Sequence, residues 1–303
     1  MKYPILHLDL NIEKYDTPDS LDNILDKSLT AWEKLYGAEP SERSFSLRFA
    51  GIIERACKQA GQRVVILVDE YDKPMLQAIG NEELQRQFRN ALKPFYGALK
   101  TMDGCIKFAF LTGVTKFGKV SVFSDLNNLD DISMRKDYVE LCGVSDRELH
   151  DTLDAELHEF ADVRGVTYDK LCAELKECYD GYHFTHNSIG MYNPFSLLNA
   201  FKYKEFGSYW FETGTPTYLV SLLKKHHYDL ERMAHEETDA QVLNSIDSES
   251  TNPIPVIYQS GYLTIKGYDE EFGIYRLGFP NREVEEGFVR FMLPYYANVN
   301  KVE

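Results

Sequence analysis

The chain has 303 residues, 44% of them hydrophobic and 27% charged, a balance that supports a sizeable buried core and argues against bulk disorder. Its 33 Lys and Arg against 48 Asp and Glu leave a formal net charge of −15, which disfavours nucleic acid or an anionic membrane as a partner of the whole surface. Cys57, Cys105, Cys142, Cys172 and Cys178 form no CxxC pair, so they read as thiols of a reducing compartment, with the cytoplasm as default, and not as a disulfide frame or zinc site. No apolar run approaches membrane-spanning length, and the opening MKYPILHLDLN lacks a signal-peptide pattern.

Tyr3 to Leu10 alternates apolar and polar residues over much of its length and predicts a first strand. Thr17 and Pro18 then supply an N-cap and an N1 proline for a helix whose apolar face carries Leu21, Ile24, Leu25, Leu29, Trp32 and Leu35. A second helix is predicted from about Phe45 to Ala60, with Gly61 as its stop.

Next comes the most telling stretch, Val64-Val65-Ile66-Leu67-Val68-Asp69-Glu70-Tyr71-Asp72. A short apolar run bounded by Gly61 and by Lys73-Pro74 predicts a strand buried on both faces. Ending in adjacent acids, it brings charge to the carboxyl edge of a parallel sheet, where α/β proteins place their ligands. There Asp69 suits Mg²⁺, held through water, and Glu70 suits a water that attacks a phosphate. From Arg63 to Lys119 nine Lys and Arg face six Asp and Glu, a locally basic setting that accords with phosphate.

A helical region is predicted from Asn81 to about Lys100, broken or kinked at Pro94. Ile106 to Leu111 is a further strand. Strands alternating with helices predict a parallel α/β sheet over roughly the first 140 residues. Beyond it, Ser145 to Phe160 and Tyr168 to Cys178 read as helices, and Asn193-Pro194 and Thr215-Pro216 each open another. The last segment holds a short helix near Ile254 to Ser260, two strands flanking an acidic turn with Gly273, and a closing helix from Asn281. Helix, hairpin, helix is winged-helix-like in outline, and it is equally the pattern of an unspecialised α+β tail.

A nucleotide-hydrolysing sheet needs a glycine-rich loop of the form GxxxxGK[S/T]. None precedes the acidic strand. The near match Gly113-Val114-Thr115-Lys116-Phe117-Gly118-Lys119-Val120 follows the IKFAFL strand. It reads either as a phosphate loop in a permuted sheet or as a strand tip where Thr112, Thr115 or Lys116 contacts a γ-phosphate. The second is favoured, because Val120 stands where a metal-binding hydroxyl belongs.

The segments LVDEYDKPML, FYGALK, FLTGVTKFGKVSVFSDLNNLDDIS, YDGYHF, MYNPFSLLNAF and YWFETGTPTYLVSLL resemble the bacterial AAA-ATPase-like family, whose members usually carry a PD-(D/E)XK nuclease-like domain after the ATPase core. The resemblance implies an α/β fold: an AAA-like P-loop ATPase parallel sheet over 1–144, a helical lid over 145–238 and a winged-helix-like segment over 239–303. Asp69 then looks like the Walker B magnesium residue and Glu70 like the catalytic base. Thr112, Thr115 and Lys116 look like sensor groups that bind nucleotide. Gly181 to Phe184 and Tyr192 to Leu198 look like lid, though aromatic packing explains any single residue there.

The pattern departs from the family at both ends, and the nuclease-like domain expected after the core is missing. An Arg-rich glycine-lysine-serine phosphate loop should precede Tyr3, and with it the strand that sits between the sensor strand and a last one expected near Tyr138 to Cys142. A truncated gene, a misplaced start or supply by another polypeptide would each account for this. The resulting gap is expected to close by direct pairing or by dimerisation, since each unpaired buried backbone group costs on the order of 1–3 kcal/mol. ATP and Mg²⁺ are the cofactors the family implies, bound weakly or not at all by this chain alone. The alternative is a non-catalytic module that completes its sheet with a protein partner or a second copy. A metal-dependent nuclease at Asp69, Glu70 and Asp72 is disfavoured, because adjacent residues of a strand alternate faces.

Overall fold

The computed structural model describes residues 2–116, 122–123, 126–212, 223, 235–244 and 252–297. Two compact units are present, Met1–Asp130 with Asn244–Ser250 and Asp131–Leu243 with Thr251–Glu303. Among the described residues no helix is long and apolar enough to cross a membrane.

The first unit is an α/β layer. Strands β1 (Ile5–Asp9), β2 (Val64–Asp69) and β3 (Ile106–Leu111) form a parallel sheet with β2 in the middle. Between β1 and β2 run α1 (Pro18–Tyr36) and α2 (Phe45–Ala60), and between β2 and β3 run α3 (Lys73–Gln77) and α4 (Glu82–Thr101). The local signals act as expected: Pro18 opens α1, the Ser44 hydroxyl accepts from the Leu47 amide at the head of α2, and Gly61 ends α2 in the left-handed region. Leu6, Leu8, Val64, Ile66 and Val68 are buried beneath the helices. There a stack of Trp32, Phe49 and Phe95 joins α1, α2 and α4, with ring centroids 5.8 and 4.5 Å apart.

Four expectations are corrected. β2 is closed on one face only, since Val65 and Leu67 remain half-buried. The break expected at Pro94 is absent, the helix over Glu82–Thr101 running on through it, because Leu92, Phe95 and Tyr96 around the proline are buried and their packing outweighs one lost backbone bond. Ser145 to Phe160 is not one helix but two, α5 (Asp146–Thr152) and α6 (Asp154–Arg164), which meet at Leu153. Tyr138 to Cys142 is no strand: Tyr138 closes a 3-10 turn and its carbonyl accepts from the Leu141 amide. Among the described residues β3 therefore keeps an open outer edge, and the gap does not close within the chain. The helix predicted at Thr215-Pro216 lies outside the described residues.

In the second unit, α5, α6, α7 (Tyr168–Tyr179) and α8 (Pro194–Tyr203) enclose Leu149, Leu157, Phe160, Leu171, Leu175, Tyr179 and Leu197. A two-stranded ladder pairs β4 (Val144–Ser145) with β5 (Met191–Tyr192). The C-terminal hairpin is present as β7 (Thr264–Asp269) and β8 (Ile274–Gly278), with β6 (Glu237–Asp239) on the other side of β8. The helix α9 (Ile254–Gln259) precedes it and α10 (Arg282–Ala297) follows. The GYHF segment packs on this sheet: the His183 amide donates to the Thr264 hydroxyl at 2.7 Å, and that hydroxyl donates to the His183 carbonyl at 3.1 Å.

Phe49 is the shared ring of the first unit's helical layer, so Phe49→Ala should lower its unfolding free energy by about 3–5 kcal/mol. Urea unfolding followed by fluorescence measures this, with Trp32 stacked on the deleted ring as reporter.

Candidate functional site

The carboxyl ends of the three strands carry the site. Asp9 and Asp69 are direct partners in the β1–β2 register, so both occupy the same side of the sheet edge. Thr112 continues β3, its amide donating to Val68 O and its carbonyl accepting from the Tyr71 amide, each at 2.9 Å. This ladder brings the Thr112 hydroxyl to Asp69, where it donates to Oδ1 at 2.6 Å. The same oxygen accepts from the Glu70 amide at 3.1 Å. Asp69 Oδ2 takes no bond among the described residues and remains available to a ligand.

Glu70 sits directly after β2 with φ of 57°, a left-handed conformation that costs a residue with a Cβ about 1–2 kcal/mol. Its carboxyl pKa is raised, chiefly by burial, then by the charges of Asp72, Asp69 and Asp9, with Lys73 opposing them. A glutamate held in this way is a better proton acceptor than a solvated one.

Asp72 has a different task. It is fully buried, its Oδ2 accepting from the Thr115 amide at 2.6 Å and the Thr115 hydroxyl at 2.7 Å, and its Oδ1 from the Val114 amide at 3.2 Å. Burial raises its pKa and these donors pull it down, burial being the larger influence. Gly113 permits the approach, because a Cβ there would lie 2.4 Å from Asp72 Oδ1 and 2.9 Å from the Tyr71 ring. The Tyr71 hydroxyl donates to Thr115 O at 2.9 Å and completes the clamp.

Of the residues singled out by sequence, Asp69, Glu70 and Thr112 lie together at the edge. Thr115 is buried and engaged with Asp72. Lys116, half-buried, donates to Asn244 Oδ1 at 2.5 Å. Phe117 to Ser121 lie outside the described residues, and with them Gly118 and Lys119 of the near-match loop. Sequence reasoning missed Asp9, although HLD at the end of the first strand repeats the LVD ending of the second, and it missed Asp72 as the clamp. Among the described residues no group of three or more His, Cys, Asp or Glu is placed to hold a metal. One carboxylate beside a hydroxyl fits Mg²⁺, which is commonly held by one or two carboxylates plus waters and substrate phosphates.

Residues 1–123 match a family described as AAA-ATPase_like, predicted AAA-ATPase. A protein of Azotobacter chroococcum mcd 1 described as "Uncharacterized protein in vnfD 5'region" is 35% identical over 298 residues, covering 97% of this chain and 55% of the relative. The chain thus spans about half the length of that relative. No solved structure matches.

Because the raised pKa of Glu70 belongs to the folded state, folding favours its protonated form. Its contribution to stability is complete below the ordinary glutamate pKa and disappears as pH rises through the folded value. Glu70→Gln should therefore flatten part of the decline in urea midpoint across that interval. Glu70→Gly should raise thermal stability by relieving the left-handed strain, a gain of about 1 kcal/mol.

Proposed function

From a chain whose residues 1–123 match the AAA-ATPase-like family, we propose the acidic half of an ATP·Mg²⁺ site. The observation that carries this reading is the 2.6 Å bond from Thr112 to Asp69 beside a left-handed, partly desolvated Glu70. Asp69 would hold a magnesium ion through its outer oxygen. When bound, Mg²⁺ neutralises charge on the phosphates. Glu70 accepts a proton from the water that attacks the terminal phosphoryl group. Thr112 orients Asp69 and lies at the position of a γ-phosphate sensor, with Lys116 the nearby cation. Thr115 works from behind, setting the loop through Asp72.

Residues 1–144 act as the ATPase core in this reading, 145–238 as a lid and 239–303 as a winged-helix-like segment. The five free thiols accord with a cytoplasmic setting. Phosphate-cradling groups come from polypeptide other than the described residues. A second reading, a non-catalytic interaction module, is favoured by one observation, the open face of the sheet that carries these acids.

Titration with ATP·Mn²⁺ tests the site even when binding is weak, because the paramagnetic ion broadens nearby amide resonances. Broadening should begin at Thr112, Gly113 and Val114 and disappear in Asp69→Asn. Uniform broadening, or none at saturating nucleotide, would overturn the assignment. Tight binding of a fluorescent ATP analogue that Lys119→Ala abolishes would instead make Gly113–Lys119 the phosphate loop.

A further inference from the structure

The amino edge of the sheet, opposite the acids, carries two thiols. Cys57 lies in the last turn of α2, after which the chain passes Gly61 and enters β2 at Val64. Cys105 closes the 3-10 turn Asp103–Cys105 and stands immediately before Ile106, the first residue of β3. Val64 and Ile106 are partners in the β2–β3 register, and α2 packs on the turn that carries Cys105. The Cys105 thiol is thereby in hydrogen-bonding contact with that of Cys57.

A free cysteine behaves as a small hydrophobe and is among the most buried residue types. Cys57 and Cys105 depart from that habit, since both are half-buried and within reach of a small reagent, whereas Cys178 is buried. Cys142, Cys172 and Cys178 belong to the second unit. Burial, then the Cys57 thiol and the charge of Glu54, push the Cys105 pKa up, with Lys58 opposing them. Cys105 therefore rests as a neutral thiol beside its neighbour.

The place matters for the strand that follows. Among the described residues β3 is hydrogen-bonded on one side only. Its ladder is irregular at this end, Val64 pairing with Ile106 and Val65 with Phe108, so that Lys107 is passed over. Just beyond its other end Thr112 donates to Asp69. The start of this edge strand is where a covalent tie has most to fasten.

We propose that Cys57 and Cys105 are a redox-active dithiol, closed to an intramolecular disulfide by exchange with a low-molecular-weight disulfide of the glutathione class, and that the bond fastens the start of β3 to the end of α2. One protein thiolate attacks a sulfur of the glutathione disulfide, forming a mixed disulfide and releasing one glutathione thiolate. The second protein thiolate attacks the protein sulfur of that mixed disulfide and releases the other glutathione thiolate. The two protein thiols give up two electrons, the reagent disulfide takes up the same two, and the two protons pass to the released thiolates. Because the thiolate is the attacking species, closure quickens as pH rises.

The test equilibrates the reduced full chain with graded ratios of reduced to oxidised glutathione, quenches with acid, and maps the alkylated peptides by mass spectrometry. A Cys57–Cys105 cross-link is expected, reversed by dithiothreitol and formed equally in Asp69→Asn, which separates this outcome from failure of the nucleotide site. Cys57→Ser and Cys105→Ser should stop at the mixed disulfide. Amide exchange in β3 should slow about tenfold or more in the oxidised wild type and in neither variant. Mixed disulfides that never close, or cross-links to Cys142, Cys172 or Cys178 in place of this one, overturn the proposal. So does a Cys57–Cys105 bond that leaves exchange in β3 unchanged.

Discussion

The first unit depends on hydrogen bonding of β2 to a parallel neighbour on each side. That ladder aligns three strand ends, so residues separated by about forty or sixty positions in the chain arrive at one edge. Asp9 is set beside Asp69, and Thr112 reaches the Asp69 carboxylate at 2.6 Å. Without β3 in register, Thr112 would be a loop residue and Asp69 an acid facing water. The geometry of the site is thus a property of strand pairing before it is one of any single side chain.

Around that edge the protein accepts two local costs. A carboxylate is buried at Asp72, and a residue with a Cβ is held left-handed at Glu70. Three donors from Val114 and Thr115 offset much of the first. Since one buried carboxylate organises both the turn after β2 and the loop after β3, losing it would move two sides of the site at once. The second cost has no packing benefit of its own. Backbone strain next to a partly desolvated carboxyl group is a pattern associated with functional sites.

The same parallel topology that assembles the edge leaves the other face of the sheet open. Crossovers advancing in one direction can cover only one side, whatever their side chains. The apolar residues there have the composition of an interior and the exposure of a surface.

Much of this was legible in the chain. Pro18, Gly61 and the VVILVD run delimit elements through local sterics and periodicity, and the structure places α2 and β3 where those signals put them. The role of Asp69 and Glu70 as edge acids was legible for the same reason, because a short apolar run ending in charge has few other places to go. The continuity of the helix through Pro94 was not, since it rests on rings brought from other elements. Nor was the partnership of Asp72 with Thr115, whose 43-residue separation leaves no periodic trace.

The sequence by itself determined which segments become strands and helices and which acids end a strand, because those outcomes follow from backbone sterics and the spacing of apolar side chains. Only the tertiary structure decided which acid stays open at the strand edge, which one is buried as a clamp, and which side of the sheet stays bare. Those outcomes depend on register and crossover direction, long-range pairings that no local stretch of residues encodes.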